Sequence, residues 1–177
     1  MENLNQGSIF LEDAVYETVS CRPSRLEPGA FQIHDQRVVQ QGIVVLYTAR
    51  CPSSDPRFPP LIPTIGYAFL KQHKNRWFSF SSSSIGVLSP ATPDEFVRTG
   101  NGNVEESVIK YGRVLNPEVK LVQITLENGR IQRDVPRNGM FVISFPSDIR
   151  TCELQLLDTD GNIMQRHPLQ FEHPCQK

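Results

Sequence analysis

The feature that most constrains this chain is a period of two. From Val108 to Phe171 apolar residues recur at alternate positions in six short segments: Val108–Leu115, Val119–Leu126, Ile131–Val135, Met140–Phe145, Thr151–Leu157 and Ile163–Phe171. Strand side chains alternate between faces, whereas a helix repeats every 3.6 residues, so this stretch is built to be extended. Turn chemistry closes each segment: Asn116-Pro117, Glu127-Asn128-Gly129, Asn138-Gly139, Pro146-Ser147-Asp148 and Asp158 to Asn162. Asn-Gly accepts positive φ at both central positions of a tight hairpin. Short strands spaced roughly 8 to 12 residues apart point to a sandwich or barrel. Val122, Ile124 and Leu126 mark one inward face, and Phe141, Ile143 and Phe145 another. Full burial of each contributes about 1.5–3 kcal/mol before conformational entropy is subtracted.

The upstream half follows a looser pattern. Ser8 to Val19 places Leu11, Val15 and Val19 at intervals of four, with Ile9, Phe10 and Ala14 widening the stripe, which predicts one amphipathic helix. Phe31 to Val39 reads as one strand or two halves of a bent one, and Gly42 to Arg50 as a β-branched strand. Ile65 to His73 and Arg76 to Ser82 form a predicted hairpin across Lys74-Asn75, anchored by Trp77. Between Arg50 and Ile65 lie Pro52, Pro56, Pro59, Pro60 and Pro63, and a residue without an N–H argues against a ladder strand there. Ser81 to Asn103, rich in Ser, Pro, Gly and Asn, is expected to be a long loop with one helical turn from Pro93 to Val97. The expected fold class is mainly β: an antiparallel β-sandwich, or an open barrel-like sheet, with one N-terminal helix. At 177 residues a single β-rich domain spanning 1–177 has enough chain for a core; a subdivision into 1–103 and a 104–177 meander is the alternative.

Tyr111-Gly112-Arg113-Val114-Leu115-Asn116-Pro117-Glu118-Val119-Lys120, then Asn128-Gly129, Asn138-Gly139-Met140-Phe141 and Leu157 to Asn162, resemble a C-terminal strand module of uncharacterised bacterial β-rich proteins. In these a tract like YGxVxNPxVxxVxV is followed by NG, GxF and DxxG. The resemblance, with the upstream VVLYTAR and IGYAFLKQ pieces, covers about two thirds of the chain. It implies a β-rich fold and no known activity.

Charge removes some functions. Eighteen Lys and Arg stand against nineteen Asp and Glu, a net charge of −1, which supplies none of the long-range attraction that non-specific nucleic-acid or anionic-membrane binding needs. No window is long and apolar enough to span a bilayer, and the N-terminus lacks a signal-peptide pattern. The expected compartment is the cytoplasm, or an exported one if a leader has been removed. Without an export signal the four cysteines, Cys21, Cys51, Cys152 and Cys175, are expected as free thiols, with Cys152 a small buried hydrophobe beside Leu154 and Leu156.

Chemistry-bearing clusters are few. His34-Asp35, with Cys51, contains the residue types of a Cys/His/Asp nucleophile system, although sequence proximity does not make a triad. The tail from His167 to Cys175 places His167, Glu172, His173 and Cys175 close together, but in no zinc-site spacing. Asp158-Thr159-Asp160-Gly161-Asn162 has oxygens at alternate positions, yet the twelfth position counted from Asp158 is Leu169, which has none. Walker A, GxGxxG, GxSxG and HExxH patterns are absent. The leading expectation is a non-catalytic module for protein interaction, self-association or small-ligand binding, with no cofactor or metal. Its expected binding residues are Phe58, Leu61 and Ile62 in the proline-rich segment, and Tyr67 and Trp77 at a loop-rimmed pocket. The competing expectation is a small enzyme using His34, Asp35 and Cys51.

Overall fold

A computed structural model describes residues 7–169 apart from Ser20, Arg22, Arg25, Leu26, Gln40, Gln41 and Pro90. The chain falls into two compact units, Met1–Pro90 and Ala91–Lys177. The structure is mainly β and antiparallel, with open sheets and one short helix.

Unit 1 begins with α1 (Leu11–Tyr16) and continues as the meander β1 (Phe31–Val39), β2 (Gly42–Pro52), β3 (Leu61–His73) and β4 (Arg76–Gly86), paired in that order. Ala14, Val15 and Val19 pack with Val45, Tyr47, Ala49, Ala68 and Leu70 in one cluster, so the helix covers one face of the sheet. Trp77 and Phe31 lean on the same cluster, and Tyr16, Phe31 and Tyr47 form a chain of rings 5.5 and 5.7 Å apart. Residues of the opposite parity, Val44, Leu46, Tyr67 and Phe69, are buried as well. That is why GIVVLY and IGYAFL read as near-continuous apolar runs rather than alternating ones.

Three expectations for this unit change. The helix is six residues long, because Ile9 and Phe10, which widened the predicted stripe, are 65% and 69% exposed, and Phe10 at the N-cap offers no side-chain acceptor. The proline-rich segment enters the ladder from both ends: Pro52 pairs with Leu61 and Arg50 with Pro63. Pro63 is tolerated because its N faces the β4 side just past the last residue of β4, where its carbonyl still accepts from Val87 N at 2.6 Å. Residues Ser53 to Pro60 are therefore the connection of a long hairpin. Finally, Ser81 to Gly86 are strand rather than loop, continuing β4 opposite Thr64 to Phe69. Lys74 and Asn75 have φ of 47° and 61°, the tight turn expected.

Unit 2 holds β5 (Val97–Val104), β6 (Ser107–Val114), β7 (Leu121–Leu126), β8 (Ile131–Asp134), β9 (Met140–Pro146), β10 (Thr151–Leu157) and β11 (Ile163–Pro168). They form a three-stranded sheet, β5-β6-β9, and a four-stranded one, β11-β10-β7-β8. Val97, Phe141, Ile143 and Phe145 of the first sheet share one core with Val122, Ile124, Leu126, Leu154 and Leu156 of the second, so the sheets pack face to face. This is the strand order of an immunoglobulin-like sandwich whose fourth strand joins the second sheet; the likeness is topological and carries no function. Val97 to Val104, expected as loop, is the partner of β6 along its whole length, and Glu105-Glu106 is the two-residue turn between them. Across β8, β7, β10 and β11 runs a polar ladder. Arg133 Nε donates to Gln123 Oε1 at 3.0 Å, Gln123 Nε2 to Gln155 Oε1, Gln155 Nε2 to Glu153 Oε1, and Arg166 Nη1 to Glu153 Oε1 at 2.7 Å.

The cysteines also depart from expectation. Cys51, near the end of β2, is bonded to Cys21 with Cα atoms 5.3 Å apart, inside the range that a disulfide can bridge. Cys152 is disulfide-bonded too, and no described cysteine is a free thiol. Cys152 is not a core residue: the β7–β10 pairing shifts between Thr151 and Glu153, making it the extra residue of a bulge and breaking its parity with Leu154 and Leu156.

Candidate ligand groove

The sequence-predicted site residues do not assemble. On β1 the register shifts between Ile33 and Asp35, leaving His34 as the bulged residue. Its Nε2 lies 2.8 Å from Thr48 Oγ1. Asp35 Oδ2 stands 2.6 Å from Arg37 Nε, close enough for an ion pair, although the N–H is not aimed along a hydrogen bond. Cys51 lies three residues beyond Thr48 on β2, about 10 Å along the strand, and its sulfur is held in the disulfide. While that bond is intact, no thiolate exists at this position to act with His34 and Asp35.

The expected binding residues are spread along β3. Phe58 and Leu61 are 37% and 36% exposed at the tip of the β2–β3 hairpin, with the Arg57 guanidinium 5.9 Å from the Phe58 ring centre and bonded to Asp55. Ile62 lies one residue further along. Tyr67 is five residues beyond, about 17 Å away, and is fully buried, donating to or accepting from Ser81 Oγ at 3.1 Å. Burial raises the Tyr67 phenol above its ordinary pKa, the Ser81 contact opposing this. Trp77 pairs in register with Gln72 at the far end of the strand and packs under the helix. Of the C-terminal cluster only His167 is described; Glu172, His173 and Cys175 lie outside the described residues.

What the fold does bring together is a groove beside α1. The helix packs over β3 and β4, and the face of β1 is left open alongside it. Two adjoining recesses result. One, of about 210 Å³, is lined by Glu12, Asp13 and Tyr16 of the helix, Ser24 and Glu27 of the following segment, and Phe31. The other, of about 590 Å³, is lined by Phe10, Leu11, Glu12, Asp13, Ile33 and Gln36. Tyr16 and Phe31 meet edge to face, and the Tyr16 hydroxyl donates to the Pro23 carbonyl, which fixes the ring at the wall of the smaller recess. Arg50 Nη1 approaches Glu27 Oε1 to 3.8 Å, but both side chains are about half exposed, so the pair contributes little. Arg22 and Arg25 of the same segment lie outside the described residues.

Chemically the groove combines three carboxylates, three aromatic rings and exposed apolar side chains. Val38, 86% exposed, lies further along β1 with the same parity as Gln36. The groove also follows an open sheet edge, since β1 is the outer strand of its sheet and pairs only with β2 among the described strands. None of its residues was expected to bind: Phe10 and Leu11 were read as a buried helix stripe, and Glu12 and Asp13 lie in the first turn of the helix, where acids complement the backbone dipole.

Among the described residues, no helix is long and apolar enough to cross a membrane, and no group of His, Cys, Asp and Glu is arranged to hold a metal ion. Comparisons with family models, with curated proteins and with solved structures give no match for this chain.

Proposed function

We propose that the protein is a non-catalytic binding module of an oxidising compartment that receives an extended segment of a partner protein, apolar with basic residues, in the groove between α1 and β1. The observation that carries this reading is the coincidence of three features at one place: a nine-residue strand that is the outer one of its sheet among the described strands, exposed apolar side chains at Phe10 and Val38, and a recess walled by Glu12, Asp13 and Glu27. An added strand gains backbone hydrogen bonds from the edge, and its alternate side chains reach the recesses, where a lysine or arginine meets carboxylates and ring faces. The bulge at His34 limits the pairing to part of the edge. The disulfides support the compartment, since such bonds persist where thiols are not kept reduced.

The test is fluorescence anisotropy with a labelled extended peptide that alternates lysine and apolar residues, against versions carrying glutamate or glutamine instead of lysine. The lysine peptide is expected to bind, with affinity falling as salt rises and falling at least tenfold in the double variant Glu12→Lys/Asp13→Lys and in Val38→Asp. Equal binding of all three peptides, or retention of binding in both variants, refutes the assignment.

A further inference from the structure

Unit 2 carries a cation on a strand face whose valines pack against its core. Val108, Lys110, Gly112 and Val114 share one parity on β6, and Val108 and Val114 pack against the sandwich core. The register sets Lys110 opposite Asn101 on one side and opposite the core residue Ile143 on the other. Lys110 thus projects between the two sheets, half-buried, and no carboxylate among the described residues pairs with it.

The opposing sheet answers with a second proton-bearing group. His167 on β11 is in register with the core residue Leu154 and so also faces inward. β5 and β11 are the outer strands of their sheets, and Gln165 Nε2 donates to the Asp94 carbonyl ahead of β5 at 3.0 Å, which brings the two edges to the same side of the sandwich. By register Asn101 and Lys110 on one sheet, and Gln165 and His167 on the other, carry the inward parity near these edges, and Lys110 is near enough for its charge to act on His167. A carbonyl only accepts, so the bond to Asp94 fixes the orientation of the Gln165 amide and turns its oxygen toward His167 Nε2, 2.9 Å away. His167 Nε2 is therefore the donor, and Nδ1 is the nitrogen that takes up a proton. Burial, and then the Lys110 charge, hold the imidazole below its ordinary pKa, while burial lowers that of Lys110. The register neighbours of Lys110, Asn101 and Ile143, and that of His167 on β10, Leu154, are uncharged. Two half-buried donors, of which Lys110 disfavours the protonated form of His167, are both relieved by a negative charge placed between them.

We propose that the mouth between β5 and β11 is a binding site for a small oxyanion, held by the Lys110 ammonium and by His167 in its protonated form. A carboxylate and a phosphate monoester share this chemistry, and the probes separate them.

The experiment is an NMR titration of the His167 ring against pH in the full chain, in acetate, in inorganic phosphate, and in sodium chloride matched for ionic strength. Acetate or phosphate is expected to raise the His167 pKa by about one unit at saturation, which corresponds to tenfold tighter binding to the protonated form. The anion that does so identifies the class. Lys110→Gln should abolish the rise, and Lys110→Arg should restore it, both with unchanged circular dichroism. If Lys110→Gln disturbs the fold, Lys110→Met, which keeps the packing of the stem and removes the charge, takes its place with the same expected loss. A His167 pKa that moves equally in chloride, moves in neither anion, or still rises in a folded Lys110→Gln chain overturns the proposal.

Discussion

Removing the Cys21–Cys51 bond should destabilise unit 1 by an amount that can be worked out from chain entropy. The bond closes a loop with a sequence separation of 30, and the loop-closure relation gives about 12 cal/mol/K, or about 3.6 kcal/mol at 25 °C. The bond joins the segment after α1 to the end of β2, so the open chain loses the tether that holds Ser24 and Glu27 beside the helix. The double variant Cys21→Ser/Cys51→Ser avoids leaving an unpaired thiol. Trp77 is the one tryptophan of the chain and packs in the unit 1 cluster, so its fluorescence reports that unit directly. With a guanidinium m-value of roughly 2–3 kcal/mol/M, the midpoint should fall by roughly 1.2–1.8 M. The same shift should appear when the wild-type chain is reduced before unfolding. A midpoint that moves by less than about 0.3 M in both experiments would show that the loop is already restrained in the unfolded chain or that the bond is not formed, and the reasoning fails.

Other expectations follow from the packing. A Cβ on Gly66 would stand 2.4 Å from the Tyr47 ring carbon Cζ, so Gly66→Ala should cost roughly 1–3 kcal/mol in thermal or denaturant unfolding followed by Trp77. Gln155→Leu removes the acceptor for the buried Gln123 amide and should cost roughly 1–3 kcal/mol, whereas an exposed neighbour such as Thr159→Ala should not. His167 has its pKa lowered on folding, so the unfolded chain binds the extra proton first. Its contribution to stability is therefore complete above the ordinary histidine value of about 6.5 and is lost as pH falls through the lower, folded value; calorimetry of His167→Gln should show this acid loss removed. Replacing Ser54 to Pro59 at the hairpin tip by Gly and Ser should change unfolding little, since all of them but the half-buried Asp55 are exposed, and should leave the lysine-peptide affinity unchanged.

The C-terminal strands were legible because each has one inward face and a turn with its own chemistry at either end. Val122, Ile124 and Leu126 are inward as their alternation says, and Asn138-Gly139 has the positive φ angles of 50° and 73° that the dipeptide suggests. β5 was hidden because RTGNGN is poor in strand formers, and what makes it a strand is its pairing with β6 rather than its own preference. The disulfides could not be read, since pairing depends on which strand ends the fold brings to within bonding distance. The groove beside α1 is likewise a product of packing: Phe10 was assigned to the buried stripe, and its exposure depends on how few turns the helix has. Lys110 left no trace either: the most buried side chains of β6, Ile109 and Tyr111, have the opposite parity, so alternation alone would not have turned it inward.

The displaced residue in β1 has an effect on company as well as on shape. A straight, flush border would stack against identical molecules and grow into fibrils, whichever partner it was meant to greet. With His34 pushed out of line, the border is bent midway. Two copies meeting edge to edge would lose register at the bend, whereas a short guest strand needs only one half of it.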